Sequence, residues 1–138
     1  MRFPYLLSGL AILALASLPA SAQGPAVPTA FDGKYVGTAT LTHGGGSCSA
    51  ITSAEMTVTG GQVVIREIHH TGGVYTYRGN VDAAGAVSAV YQSKALPRDV
   101  GQSDFTVSGT IHDKLFTGQR RHGVGKSACF YDMELTKG

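Results

Sequence analysis

From Phe31 onward, one short pattern repeats along the chain: a run in which apolar and polar residues alternate, followed by a turn that usually contains glycine. Alternation with a period of two places the apolar side chains on one face of a β-strand, and no segment shows the period of about 3.6 that an amphipathic helix requires. We therefore predict eight strands, near residues 33–43, 50–59, 62–70, 74–82, 86–93, 104–112, 115–122 and 127–136.

The turns also predict how neighbouring strands are aligned. Short turns are expected at Gly60-Gly61, 71–73, 83–85 and Asp113-Lys114, and each would join two antiparallel strands. With these turns, the apolar residues of consecutive strands meet on one face of the sheet. The cross-strand pairs predicted on that inner face are Met56 with Ile65, His69 with Tyr75, Glu67 with Tyr77, Tyr77 with Tyr91, and Ile111 with Phe116.

These strands favour an all-β fold, an eight-stranded antiparallel up-and-down β-barrel, because closure leaves no strand edge unpaired. The chain has two cysteines, Cys48 just after strand 1 and Cys129 near the start of strand 8. In a closed barrel both lie at one rim, beside the seam between the first and last strands, so we predict a disulfide. It would close a loop of about 80 residues and stabilise the fold by roughly 4 kcal/mol. A β-sandwich is the alternative, since it could also allow this bond.

The first 22 residues, "MRFPYLLSGLAILALASLPASA", have the features of a secretory signal peptide. Arg2 precedes an apolar run from Leu10 to Leu18, which is shorter than the ~20 residues of a membrane span. We expect export to the periplasm or the medium, a mature chain from Gln23, a flexible leader over 23–30 and a barrel domain over 31–138. No membrane span is expected after removal of the signal.

The two ends of the predicted barrel have unequal connections. At the cysteine end they are 43–47, 71–73, 94–104 and 122–126, and at the other end they are tight turns. Long loops at one end are typical of a cup with functional contacts at its mouth. Inner residues toward the closed end are apolar: Tyr35, Val58, Val63, Val81, Val87, Ile111, Phe116 and Leu135.

Inner residues toward the mouth are mostly aromatic or ionisable. The candidates for a ligand-binding site are His43, Glu67, His69, Tyr75, Tyr77, Tyr91 and Arg120, with Phe105 and Tyr131 beside them. An eight-stranded barrel either holds one small ligand or fills its interior with side chains. In the second case the tyrosines, Glu67 and Arg120 would satisfy one another. We expect Glu67 and Arg120 to pair in either case, because an unpaired buried charge is costly.

The stretch "IREIHHTGG" at 65–73 invites a metal or catalytic interpretation. His69 and His70 are consecutive on a strand, so their side chains point to opposite faces and do not suit one metal ion. His43, Glu67 and His69 could supply three zinc ligands only in a narrow mouth. We expect no metal and no cofactor. Glu67 and His69 as an acid–base pair are the enzymatic alternative, without a recognised nucleophile. With Arg2 removed the charge is near neutral, which argues against a nucleic-acid partner.

The segment "FDGKYVGTATLT" at 31–42, the later hairpins with G-x-V or G-x-I, and the paired cysteines resemble small exported β-barrel proteins of proteobacteria. Many of these begin their domain with F-D-G-x-Y-x-G and end with a last strand that contains a cysteine. The resemblance implies location and fold, not activity. The architecture is also similar to that of small periplasmic barrel inhibitors of proteases and lysozymes, by fold and size.

The function expected from these features is that of an exported, monomeric, non-catalytic binding module with its site at the long-loop rim. Its partner would be a small molecule or another protein. The alternative is a periplasmic inhibitor or stress protein that acts on another protein through the rim loops. An internal cavity would favour the small molecule, whereas a filled barrel with a projecting loop would favour the inhibitor.

Overall fold

The computed structural model describes residues 26–92 and 104–138. Within these ranges the chain forms all eight expected strands, and no strand end differs from its prediction by more than two residues. The strands are β1 Gly33–His43, β2 Ile51–Thr59, β3 Gln62–Ile68, β4 Val74–Val81, β5 Ala86–Tyr91, β6 Phe105–His112, β7 Leu115–His122 and β8 Cys129–Lys137. The predicted signal peptide, the start of the leader and most of the 94–104 loop lie outside the described residues.

Each strand pairs antiparallel with the next, and β1 pairs with β8, so the sheet closes into a barrel. The prediction of an up-and-down barrel is confirmed, and the sandwich alternative is wrong. Closure also explains why each strand has one apolar face, since only that face is removed from water.

Three of the predicted alignments are confirmed, and the one between β3 and β4 is wrong. Ile65 pairs with Tyr77 and Glu67 pairs with Tyr75, two positions away from the expected pairs. The turn consists of residues 70–72, with the His69 amide donating to the Gly73 carbonyl at 2.9 Å. A three-residue hairpin of this type needs its last turn residue at positive φ, and Gly72 takes that position at φ 84°. Because the β3–β4 alignment shifts by two residues, every side chain stays on its expected face of the sheet.

Apolar side chains fill the closed end of the barrel. All eight residues predicted there are buried, with at most 3 % of their surface exposed. Two facing glycines, Gly109 and Gly118, make room for the Phe116 ring, which lies one level nearer the closed end. A Cβ added at Gly109 would lie 2.7 Å from that ring and 2.4 Å from the carbonyl oxygen of Thr117. The barrel is therefore closely packed at this level.

The F-D-G start of the domain closes the same end. The Phe31 ring packs against the core. A Cβ atom added at Gly85 would lie 3.2 Å from this ring. The carbonyl oxygen of Phe31 accepts a hydrogen bond from the buried Tyr35 hydroxyl at 2.8 Å. Asp32 accepts a hydrogen bond from the Gly60 amide at 2.9 Å, which fixes the β2–β3 turn. The motif that suggested a resemblance thus has a structural role, remote from the mouth.

Cys48 and Cys129 form a disulfide, as predicted, with their Cα atoms 5.8 Å apart. Cys48 lies in the loop between β1 and β2, and Cys129 is the first residue of β8. The bond therefore ties a rim loop to the strand that completes the barrel. In the part of the chain that the structure describes, no helix is long and apolar enough to cross a membrane.

Candidate functional site

Glu67 on β3 and Arg120 on β7 meet inside the barrel, near the cysteine rim. Arg120 Nε lies 2.5 Å from Glu67 Oε2, and the two side chains are 1 % and 0 % exposed. Their orientation follows from strand alternation, because Glu67 lies two residues after the buried Ile65 and Arg120 lies four after Phe116. The prediction that they point inward and pair is confirmed.

A chain of polar contacts extends from this ion pair. Thr52 donates a hydrogen bond to Glu67 Oε1 at 2.5 Å, and Arg120 Nε donates one to the Tyr77 hydroxyl oxygen at 3.0 Å. That oxygen lies 2.9 Å from His122 Nδ1, and since it already accepts the Arg120 hydrogen bond, we assign the Tyr77 hydroxyl as the donor to His122. This assignment makes His122 a neutral imidazole with its own proton on Nε2. The network connects β2, β3, β4 and β7 across the barrel.

Aromatic rings fill the space between this network and the rim. The Tyr75 ring lies 4.6 Å from the rings of both His69 and His122. Tyr91 contacts Tyr75 and Tyr77 at 5.6 Å, and Phe105 packs edge-on against His122 at 4.6 Å. In the described ranges the upper interior is thus occupied by side chains, which is one of the two outcomes open to a barrel of this size.

Some buried polar atoms of the network have no hydrogen-bond partner among the described residues. They are Glu67 Oε2, which lies beside Arg120 Nε, together with His69 Nε2 and Arg120 Nη1. The Arg120 guanidinium carbon lies 4.4 Å from the centre of the Tyr131 ring, which supports the charge through its π face but accepts no conventional hydrogen bond. Buried donors normally have partners, so each exception needs an explanation.

A pocket of about 360 Å³ lies at the cysteine rim and reaches this region. We call it the rim pocket, and its deeper lining consists of His69, Tyr75, Arg120, His122 and Tyr131. Residues of the β1–β2 loop, the β3–β4 turn and the β7–β8 loop complete its outer wall. The disulfide also lines it, so the bond that ties the rim shapes the pocket.

A larger groove, of about 610 Å³, crosses the outer face of β1, β8 and β7. Its lining includes four threonines and the carboxylates of Asp132 and Glu134. Among the described residues, none of the buried polar atoms without a partner belongs to this lining. We therefore favour the rim pocket as the functional site, although the groove has the larger volume.

His43 does not belong to the inner group, and its predicted orientation is wrong. A β-bulge lies between Leu41 and His43, so Leu41 pairs with the buried Tyr131 but His43 pairs with Phe130. The extra residue moves His43 to the other face. It is exposed there, with its ring 5.9 Å from that of Phe130.

The structure places the other six candidates, Glu67, His69, Tyr75, Tyr77, Tyr91 and Arg120, in one connected cluster. The sequence-based interpretation missed two members of this cluster, Thr52 and His122. Both follow from alternation: Thr52 lies two residues before the buried Ala54, and His122 lies two after Arg120. His122 is the shared residue of the predicted strand 115–122 and the predicted connection 122–126, and the structure makes it the last residue of β7.

Burial shifts the pKa values of the cluster. It raises the pKa of Glu67, against the opposing effects of Arg120 and of the Thr52 hydrogen bond. Burial, with the charge of Arg120 next in importance, lowers the pKa of His69 and lowers that of His122 to about 4. Burial also raises the pKa of Tyr77 well above its ordinary range. Both histidines are therefore neutral at neutral pH.

The low pKa of His122 predicts a loss of stability in acid. Between its ordinary value of 6.5 and about 4, the unfolded chain binds a proton at His122 that the folded protein does not. The free energy of unfolding therefore falls as pH decreases through this window. Burial of Glu67 acts in the opposite direction, since a raised carboxyl pKa favours the folded state in acid.

The contribution of His122 can be isolated by comparing the protein with His122→Gln in urea unfolding across this pH range. The variant should gain stability relative to the original as pH falls, because glutamine cannot be protonated. The control is His112→Gln, at a side chain that is 89 % exposed on the opposite rim. A constant difference between His122→Gln and the original at every pH would contradict the prediction.

Within residues 26–92 and 104–138, no three His, Cys, Asp or Glu side chains are placed to hold a metal ion. Adjacent His70 is exposed at the turn, where its Nδ1 lies 3.2 Å from the Ser49 hydroxyl. His69 Nε2 lies 3.6 Å from Glu67 Oε1, too far for a hydrogen bond.

Protein-family models, curated proteins and solved structures give no match to this chain. The resemblance to small exported proteobacterial proteins therefore stays a prediction. Function has to be inferred from the chemistry of the site rather than from the barrel fold, which supports many activities.

Proposed function

We propose that the protein is a non-catalytic binding module, active in the periplasm or outside the cell, that binds a small ligand in the rim pocket. The observation that carries the proposal is the position of Arg120 in the lining of this pocket, with its buried Nη1 lacking a partner among the described residues. A fixed polar group in the lining of a concave site is what ligand recognition requires.

Two further features support this role. The disulfide and the closed sheet hold the walls of the pocket in place, which lowers the ordering cost of binding. The hydroxyl in contact with the Glu67 carboxylate is that of Thr52, which is only 2 % exposed and is already engaged as a donor. A buried hydroxyl of this kind does not suit covalent catalysis.

The test is a screen of a small-molecule library by NMR with isotopically labelled protein. Ligands of the site should cause saturable shifts concentrated at Ser49, Thr71 and Ser127, which line the rim pocket. The variant Thr71→Trp, at an exposed turn residue, should block these shifts by filling the entrance. Lys114→Trp is the matched control, since Lys114 is exposed in a turn at the opposite rim.

Two outcomes would contradict the proposal: ligand-induced shifts confined to the outer groove of β1, β7 and β8, or binding that survives Thr71→Trp unchanged. Circular dichroism of each variant would establish that the β-barrel is intact.

A partner protein bound by the rim loops is the second candidate function. It is supported by the filled interior and by three exposed apolar side chains near the cysteine rim, Ile51, Val74 and Val124, with 60 %, 44 % and 47 % of their surfaces accessible. Exposed apolar residues on one rim suit a protein contact better than a small polar ligand. Substitution of all three by serine should abolish capture of a partner but leave ligand-induced shifts in the rim pocket unchanged.

A further inference from the structure

We propose that the ligand of the rim pocket carries a compact oxyanion, a carboxylate or an inorganic oxyanion such as sulfate or phosphate, recognised by Arg120 together with His69 and His122. This inference rests on the proposed binding function and specifies the chemistry of its ligand.

The first support is the balance of donors and acceptors around the pocket. Its outer wall includes the hydroxyl groups of Ser47, Ser49, Thr71 and Ser127, and its deeper wall includes Arg120 and the two histidines. In the described part of the chain, no carboxylate lines it. A wall of this composition offers hydrogen-bond donors without a repelling negative charge, which is what an oxyanion needs.

The second support is that two nitrogen atoms in this region lack a hydrogen-bond partner among the described residues. Arg120 Nη1 is buried and has no hydrogen-bond partner among the described residues, although the side chain is only 1 % exposed. The same holds for His69 Nε2, and the Glu67 carboxylate 3.6 Å away favours the tautomer that carries the proton on this atom. An oxyanion in the rim pocket, which both residues line, would supply acceptors for these two groups.

The third support is electrostatic. Glu67 is not part of the pocket lining, whereas its partner Arg120 is, so the positive member of the pair faces the pocket. After burial, the charge of Arg120 is the next cause that lowers the pKa of His69 and of His122. The guanidinium is therefore the charged group that lines the pocket, and its positive charge attracts an anion.

The geometry accommodates a small anion. The rim pocket holds about 360 Å³, and aromatic side chains occupy the interior next to it. A planar guanidinium forms paired hydrogen bonds with two oxygens of a carboxylate or of a tetrahedral oxyanion. Neutral imidazoles and hydroxyls add further donors around the remaining oxygens.

The experiment is an NMR titration at constant ionic strength with sodium sulfate, sodium phosphate and sodium acetate, each compared with sodium chloride. At least one oxyanion should cause saturable shifts of the Arg120 side-chain Nε–H and of rim-pocket amides, and chloride should not. A response to acetate alone would identify a carboxylate ligand, and a response to sulfate or phosphate would identify an inorganic oxyanion or its ester.

Variants test the assigned residues. Arg120→Lys keeps the charge but loses the planar fork and should weaken oxyanion binding by about tenfold or more. His69→Gln and His122→Gln should each weaken it severalfold, whereas His112→Gln at the opposite rim should leave it unchanged. If Arg120→Lys does not fold, the two histidine variants still decide the question.

Failure of this inference is distinguishable from failure of the proposed function. If no oxyanion exceeds chloride but an uncharged molecule from the library shifts the rim-pocket resonances, the inference is wrong and the binding function stands. If neither class shifts these resonances in the folded protein, both are wrong. An oxyanion response unaffected by all three variants at Arg120, His69 and His122 would also overturn the assignment.

Discussion

Replacing Arg120 by methionine should lower the free energy of unfolding by about 3–5 kcal/mol, the largest effect we expect from any single substitution in this barrel. The side chain is 1 % exposed, and its removal leaves the fully buried Glu67 without its cation. The stacking of the guanidinium over Tyr131 and its hydrogen bond to Tyr77 would also be lost. Urea unfolding monitored by circular dichroism measures the change.

The matched control is Arg66→Met. Arg66 is adjacent to Glu67 on β3, but it is exposed on the outer face, so its loss should change stability by no more than about 0.5 kcal/mol. A similar small effect at Arg120 would show that the ion pair contributes little to the fold.

A double-mutant cycle separates the pair from its surroundings. Glu67→Leu should be destabilising by a similar amount, but Glu67→Leu with Arg120→Met should be much less destabilising than the sum of the two, because it removes both buried charges together. Additive effects would contradict a direct interaction between them. Residual loss in the double variant would reflect Thr52 and Tyr77, whose hydroxyl groups lose their partners.

Removal of the disulfide should lower the free energy of unfolding by about 2–5 kcal/mol. The bond between Cys48 and Cys129 spans a sequence separation of 81 residues, so its loss frees a large part of the unfolded chain. It also releases the β1–β2 loop from the start of β8, where the rim pocket is formed. The double variant Cys48→Ala with Cys129→Ala should unfold at a lower denaturant concentration than the original protein. Treatment of the original protein with a reducing agent should have the same effect.

The double alanine variant supplies its own control, because a reducing agent should have no further effect on it. If the oxidised and reduced forms of the original protein unfold at the same denaturant concentration, the bond does not stabilise the fold. Mass spectrometry under non-reducing conditions would establish that the purified protein carries the bond.

Several features of the fold were predictable from the sequence because they depend on local rules. Alternation assigns Ile65, Glu67 and Arg120 to the inner face whatever the exact strand alignment, since the face depends only on odd or even position. The glycine turns separate the strands, and eight strands with one apolar face each favour closure. Closure in turn brings Cys48 and Cys129 to the same rim.

Other features required the tertiary structure. Gly72 and Gly73 are both able to adopt positive φ, so the sequence alone could not decide which of them ends the β3–β4 turn. The bulge that turns His43 outward arises from pairing between β1 and β8, which are 85 or more residues apart at this point of the chain. The end of β7 was predicted at His122, but its membership of the cluster depends on a contact with Tyr77, which is 45 residues away in the sequence.

The sequence by itself determined which side chains face the interior, and the tertiary structure decided which of them meet. Glu67 and Arg120 lie on β3 and β7, four strands apart in the order of the barrel, so only closure at this diameter brings their charges into contact. Whether the interior is hollow or filled likewise depends on how side-chain volumes combine across the barrel, as Phe116 shows by occupying the space beside Gly109 and Gly118. Such packing is a property of non-local contacts, and strand alternation carries no information about it.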